Sequence, residues 1–285
     1  MIKKRFITII IFLLLTQMLI FGDSNLKEPL IEYKVNWESQ QLEITVLNYL
    51  ENIYKPLPTL KFSLESDIKQ NFPYILLNGI ELITIDSKTK GEDFLKKHPS
   101  IMSPIFGLSS KIIKNHSIFT NNLKILESEY TIDIYPHIAE LFIQHTRATK
   151  LLPILDFTPS ANFSGIVIYV DKKLPMYGKQ NPGSFNPSLF PRVFDENLNI
   201  VIESLMVDPE IIRGTGAVGY QKLEESLNLE RIGQNPLEIK ARSIFGINNT
   251  DLIISTRDAV KILSRQNNLD LIQQGKIIII YNNID

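Results

Sequence analysis

The chain has 285 residues, 30 basic against 31 acidic side chains, a formal net charge of −1 and no cysteine. That balance gives no electrostatic footprint for nucleic acid or for an anionic surface. The absence of thiols excludes disulfides, thiolate metal sites and a lipid anchor attached through cysteine.

Lys3, Lys4 and Arg5 precede an apolar run from Phe6 to Gly22, which Asp23 and Ser24 close. This is the order of a secretory signal: positive start, apolar stretch, small residues. Cleavage after Ser24 would set Gly22 and Ser24 at the two small-residue positions. The run also reaches the short end of the roughly 17–25 residues that span a bilayer, so residues 1–24 are read as a signal peptide or an uncleaved signal anchor. In both cases the positive end stays inside and the rest is exported, to the periplasm or the cell envelope. The chain beyond Ser24 is long enough for one or two domains. Prolines and glycines are densest between Pro153 and Pro191, which sets a soft boundary near 155–162. The expected class is α+β: a small helix-covered sheet domain over 25–158, then a strand-rich α+β domain over 159–285.

In the first domain Leu42, Ile44 and Val46 alternate with Glu43 and Thr45, the pattern of a half-buried strand. Leu60, Leu64, Ile68 and Phe72 recur at helical spacing, and Pro73 is expected to disturb that helix near its end. Gly79 then opens a short strand through Ile83 and Ile85. Tyr130, Ile132 and Ile134 alternate as another strand, and Ile138, Leu141, Phe142 and His145 come next at helical spacing. In the second domain Gly165–Val170 is a β-branched run. Arg192–Glu203 reads as a hairpin turning at Asp195-Glu196-Asn197. Leu237, Ile239 and Ala241 alternate, and Leu252–Ile254 forms a further strand. Ser255 and Asp258 have capping-box spacing for a helix over Ala259–Leu263. The four isoleucines of Ile277–Tyr281 make a closing strand, either buried on both faces or hazardous at an edge.

Candidate chemistry is sparse, and no catalytic, cofactor-binding or metal-ligating residue is assigned. Gly214-Thr215-Gly216-Ala217-Val218-Gly219 fits G-x-G-x-x-G. A dinucleotide site needs strand, motif and helix in that order. Here Asp208–Arg213 separates the motif from the preceding strand, so the motif reads instead as a turn before a helix at Gln221–Leu227. His98, His116, His137 and His145 form no H-E-x-x-H. His137 and His145 stand about two helical turns apart and could share a face, but a third zinc ligand is missing. The pairs Glu92-Asp93, Asp195-Glu196 and Glu224-Glu225 are adjacent rather than opposed, which suits turns better than acid–base catalysis. Trp37 is read as core packing ahead of a partner anchor. Asn162-Phe163-Ser164 and Asn248-Asn249-Thr250 match a glycosylation acceptor, with no use expected behind a bacterial-type leader.

Several phrases carry a resemblance: Phe163–Asp171, Pro191–Glu196, Gly216–Tyr220, Arg231–Leu237 with Lys240-Ala241, and Asn249–Ser255 with Asp258-Ala259. Their order and spacing over 163–259 resemble the FlgP/FlgT-like flagellar accessory and outer-membrane-lipoprotein-related group of bacterial envelope proteins. Asn36-Trp37 agrees more loosely. The resemblance implies a small exported α+β protein that supports flagellar or envelope structures, and carries over no catalytic residue. This chain lacks the lipidation cysteine that many members carry.

The expected function is therefore a non-catalytic periplasmic or envelope-associated protein, a structural or assembly factor interacting with flagellar or other envelope proteins. It needs no cofactor, binds no nucleic acid and meets the membrane only through the leader if uncleaved. The alternative is an exported small-molecule or glycan-binding module with a groove between the halves near 155–190. A hydrolase with dispersed acidic residues ranks third.

Overall fold

The computed structural model describes residues 28–50, 56–155 and 159–282. The leader over 1–24 lies outside the described residues, and so do 156–158 in the connection between the halves.

The first domain begins with β1 (Leu30–Asn36) and β2 (Gln41–Tyr49), continues through helices α1 (Leu57–Glu81), α2 (Gly91–Lys97) and α3 (Met102–Gly107), and ends with β3 (Ile113–Thr120) and β4 (Ile125–Asp133). The four strands form one antiparallel sheet in the order β1-β2-β4-β3. The register pairs Ile44 with Tyr33 on one side and Tyr130 on the other. Period-2 alternation therefore collects Leu42, Ile44, Val46, Leu126, Tyr130 and Ile132 on a single face, all of them buried. Over that face runs α1, whose buried stripe includes Leu64, Ile68, Phe72, Leu76 and Ile80. Each such side chain contributes about 1.5–3 kcal/mol on full burial.

Three readings of this half are corrected. Pro73 does not end α1, which continues to Glu81. An interior proline costs about 3 kcal/mol; burial of Ile75, Leu76 and Ile80 beyond it offsets that cost. Gly79 opens no strand but lies in the helix. A Cβ there would stand 2.9 Å from Leu42 Cδ2 and 3.0 Å from Tyr33 Cδ1, so glycine marks where the helix crosses the sheet closely. Ile83 and Ile85 are buried in the loop after the helix, closed by an isolated bridge between Thr84 and Lys90. Nor is Ile138–His145 one helix. A kinked segment with a cis Tyr135–Pro136 bond leads into a single 3-10 turn, Ala139–Phe142, and His145 lies beyond it. Pro136 removes a backbone donor and keeps Tyr135 extended (φ −109°, ψ 128°).

The second domain is strand-rich. In chain order it contains β5 (Ile166–Val170), β6 (Val193–Phe194), β7 (Ile200–Ile202), α4 (Pro209–Thr215), β8 (Gly219–Lys222) and α5 (Leu229–Ile232). Then come β9 (Leu237–Lys240), β10 (Ser243–Phe245), β11 (Asp251–Ile253), α6 (Thr256–Leu263), α7 (Gln266–Gln273) and β12 (Ile277–Tyr281). Four strands make a wholly parallel sheet, β8-β12-β5-β9. The isoleucine strand β12 is central and buried along its whole length, as continuous apolar runs in parallel sheets are. The other four make a small mixed sheet, β10-β11-β6-β7, which contains the expected Arg192–Glu203 hairpin. The helix expected over Gln221–Leu227 does not form. Gln221 and Lys222 complete β8 against Ile280 and Tyr281 of β12, and a turn comes after them. The cap of α6 is as read from sequence: Ser255 Oγ accepts from Asp258 N at 3.1 Å.

Candidate functional site

The two domains meet over a continuous apolar cluster that runs from Trp37 and Leu42 through Tyr135 to Tyr220 and Tyr281. The β1–β2 turn delivers Trp37, which is 8 % exposed, against the edge of Tyr220 with ring centroids 5.7 Å apart. Tyr220, Tyr281 and Phe185 pack edge-on or tilted at 5.9–6.2 Å. Tyr281 Oη donates to Glu38 Oε1 at 2.8 Å, and Tyr220 Oη donates to Ser188 O at 2.8 Å while accepting from Ser188 N at 3.1 Å. Burial pushes the Tyr220 and Tyr281 hydroxyls well above the ordinary phenol range, in Tyr281 reinforced by Glu38. Trp37 is thus a core residue, and the core it belongs to is the one between the domains.

A second joint is polar. Asp251 is fully buried. It accepts from Arg192 Nε and Nη2 at 3.1 and 2.6 Å and from Arg192 N at 3.1 Å. Arg192 Nη2 also donates to Ser87 Oγ of the first domain at 2.7 Å. Around it, Leu189 N donates to Thr84 O, Phe190 N to Ile85 O, and Ile247 N and Asn248 N both to Ser87 O, at 2.8–3.0 Å. Asn248 Nδ2 donates to Asp86 O at 2.9 Å. The loop after α1 is therefore bound into the second domain as though it were an added strand. Asn248-Asn249-Thr250 serves this joint: Asn248 bridges to the first domain, Asn249 turns at φ +58°, and Thr250 is buried. In Asn162-Phe163-Ser164, Ser164 Oγ donates to Ile232 O at 2.7 Å.

Beside the polar joint lies a cleft of about 440 Å³. Asp86, Lys88 and Thr89 form one wall, Phe94, Lys97 and His98 at α2 a second, Phe142–His145 the floor, and Phe190, Arg192 and Glu203–Leu205 the far side. A groove between the halves thus opens at these segments, with Phe190 contributed by the stretch 155–190. Asp86 is committed to its own turn, with Oδ1 accepting from Lys88 N and Thr89 N at 2.7 and 2.8 Å. The histidines brought together here are His98, tilted on Phe94 at 4.4 Å, and His145, whose Nε2 donates to Val207 O at 3.0 Å. His116 stands apart on β3 between Glu129 (3.0 Å) and Glu127 (4.0 Å), and His137 lies in the bend before the 3-10 turn. Among the described residues no group of three His, Asp or Glu is placed to hold a metal ion.

The acidic pairs act locally. Asp195 accepts from Asn197 N, Asn199 N and Asn199 Nδ2 at 2.8–2.9 Å, closing the hairpin turn, and Glu196 Oε2 accepts from Thr256 N at the start of α6. Asp93 accepts from Lys90 N, Glu92 pairs with Lys96, and Glu224 and Glu225 lie exposed in the turn after β8.

The glycine motif has the opposite polarity to a phosphate cradle. Gly214 is in the last turn of α4, Gly216 (φ +82°) ends that helix, and Gly219 opens β8, so the order is helix, then strand. The groups that point into the loop are carbonyl oxygens. Arg231 Nη1 donates to Thr215 O at 2.8 Å, Nη2 to Gly216 O at 2.7 Å, and Nε to Gly275 O, just past α7, at 2.8 Å. A cation at two helix C-termini complements both dipoles. Burial pushes the Arg231 pKa down to about 10, which leaves it charged at neutral pH. A Cβ on Gly216 would stand 2.7 Å from Tyr135 Cζ.

Two family models match in tandem: residues 28–141 fit the one described as Treponema pallidum Tp0624, N-terminal domain, and residues 165–283 the one described as Treponema pallidum Tp0624, second domain. Each half of the chain is thus similar to a Tp0624 domain. The Tp0624-type halves succeed one another in the same order as their descriptions, and residues 142–164 lie between the matched spans. Both descriptions name a bacterial domain and no activity. No curated protein matches the chain.

Arg192, Lys88 and Lys97 carry no signal in the sequence that marks them as site residues. Arg192 lies inside the phrase Pro191–Glu196 that carries the resemblance, but its partner Asp251 is remote in the chain, and pairing at that separation has no local signature.

Proposed function

We propose that this Tp0624-type chain is a non-catalytic component of a bacterial cell envelope, exported by its N-terminal leader. It acts as a structural or assembly factor for flagellar or other envelope proteins. The observation that carries this reading is how the polar side chains buried at the junction are used. Arg192, paired with buried Asp251, reaches Ser87 of the first domain, Tyr281 reaches Glu38, Asn248 reaches Asp86, and backbone bonds from Leu189, Phe190 and Ile247 join them, so that the two domains are held as one body. A rigid two-domain body suits a scaffold. Two of the phrases that carry the resemblance, Pro191–Glu196 and Asn249–Ser255, supply Arg192 and Asp251 to the polar joint.

The test is crosslinking of an epitope-tagged chain in living cells, with mass spectrometry of what is captured. Recovery of the same flagellar or envelope proteins in repeated captures, together with an envelope or motility defect on deletion, is the expected result. No envelope partner and an unaltered deletion strain would sink the reading. A second reading, an exported small-molecule or glycan-binding module, draws on the cleft: its volume is in the range of ligand pockets, and three phenylalanines line it beside charged groups. A thermal-shift screen of envelope glycans and metabolites separates the two.

A further inference from the structure

Among the described residues no helix covers the outer face of the first-domain sheet, and its side chains sort along the strands. Register places Leu30 opposite Leu47, Leu47 opposite Glu127, and Glu127 opposite Ile118. In the next row toward the strand ends, Tyr49 stands opposite Ile125. The hairpin joining β3 and β4 adds Leu123 and Lys124 at the same end, where Leu50 N donates to Lys124 O at 2.8 Å. Leu30, Tyr49, Ile118 and Leu123 are 37–50 % exposed. The remainder of this face is mostly polar, with Glu32, Lys34, Glu43, Thr45, Glu129 and Asp133, and Ile113 stands apart from the apolar end, opposite Thr131. The apolar end therefore does not reflect a generally apolar sheet. Leu123 sits at φ +66° in a turn whose two preceding residues, Asn121 and Asn122, are also left-handed. A leucine in that conformation adds strain while leaving nearly half of its surface in water, a costly choice for an apolar side chain.

The leader lies next to this end in the chain. Leu30 begins β1, and only residues 23–29 separate it from Gly22, the last residue of the apolar run. That length of chain reaches roughly 25–30 Å at full extension. We infer that the leader is retained as an anchor and that the Leu30–Tyr49–Ile118–Leu123 end of the sheet lies on the lipid surface beside it, with Lys124 at headgroup level. This rests on the exported-envelope reading above but goes beyond it, because it gives the folded domain itself a membrane contact. A tethered chain already held near the bilayer needs only a small apolar patch, since one weak membrane signal gains strength from a second. Glu127 is the acidic residue within the patch, and His116 stands 4.0 Å from it.

The chain has no cysteine, so single labelling sites can be introduced cleanly. Full-length chain carrying Leu123→Cys or, as reference, Leu223→Cys in the exposed turn after β8 is labelled with an environment-sensitive fluorophore. It is then reconstituted into phosphatidylethanolamine–phosphatidylglycerol vesicles. The expected result is a blue-shifted label at position 123, quenched several-fold more by lipid-borne nitroxides than the label at 223. An Ile118→Ser, Tyr49→Ser background, both exposed positions, should remove most of that difference while circular dichroism stays unchanged. Equal quenching at 123 and 223 overturns the inference, as does a cell-derived protein whose N-terminus is Asn25. Neither outcome touches the scaffold reading, which the crosslinking experiment judges separately.

Discussion

Arg231 organises its surroundings through three carbonyl oxygens and no carboxylate. Its cation is stabilised by the ends of α4 and α7, where peptide dipoles leave partial negative charge. Removing it takes the charged donor from all three: Gly216 O, beside the Tyr135 ring, loses its partner, while Gly275 O keeps Ile277 N and Thr215 O keeps Gln40 Nε2. Hydrogen bonds to a charged group are worth about 1.5–3 kcal/mol each, less the gain from no longer burying a cation. Arg231→Met should therefore lower unfolding free energy by about 2–4 kcal/mol in urea titration. Gly216→Ala should cost at least about 1 kcal/mol, because φ +82° and the Tyr135 ring both oppose a side chain. A neutral Arg231→Met would mean that the guanidinium is only space-filling. The motif's resemblance to a nucleotide loop arises from the same need, close backbone approach, met here by a protein cation instead of a phosphate.

At the scale of elements, the alternating strands over Leu42–Val46 and Tyr130–Ile132, the Arg192–Glu203 hairpin, the capped helix after Ser255 and the Ile277–Tyr281 strand were legible in the sequence. Each is declared by its own period or turn chemistry within a few residues. The features that were not legible depend on partners remote in sequence. Gly79 reads as a break until Leu42 and Tyr33 are placed against it, and the parallel sheet joins β5 to β12 across more than a hundred residues. The cleft was hidden for the same reason, since its walls come from five separate segments. Pro73 shows the converse, a local signal overruled by tertiary burial. If Ile75, Leu76 and Ile80 hold α1 together despite the missing donor, Pro73→Ala should restore the bond to Lys69 O and raise stability by about 1–2 kcal/mol. That is less than the full helix penalty, because alanine frees the unfolded chain. A destabilised variant would show that the α1 backbone is adapted to the proline.

For the molecule as a whole, the question is whether the two Tp0624-type domains unfold as one. Trp37, the single tryptophan, sits in the joint, so its fluorescence reports docking while far-UV circular dichroism reports both domains. The joint is also built on tyrosines that titrate out of range. Burial raises Tyr135, Tyr220 and Tyr281 above the ordinary value of 10. The native state therefore keeps protons that the unfolded chain loses above pH 10. Their contribution is fully present below that pH and is lost as pH climbs toward the native values. Arg231, lowered to about 10, works in the opposite sense but is one group against three. Stability should be level from neutral pH to about 9.5 and fall above 10. In that fall, Trp37 fluorescence, tyrosinate absorbance and circular dichroism should change together at each urea midpoint, because the ionising hydroxyls and the tryptophan share one core. If Trp37 and tyrosinate signals moved first while the dichroism held, the domains would separate before either melts. The joint would then be a hinge, and the rigid body on which the scaffold reading depends would be lost.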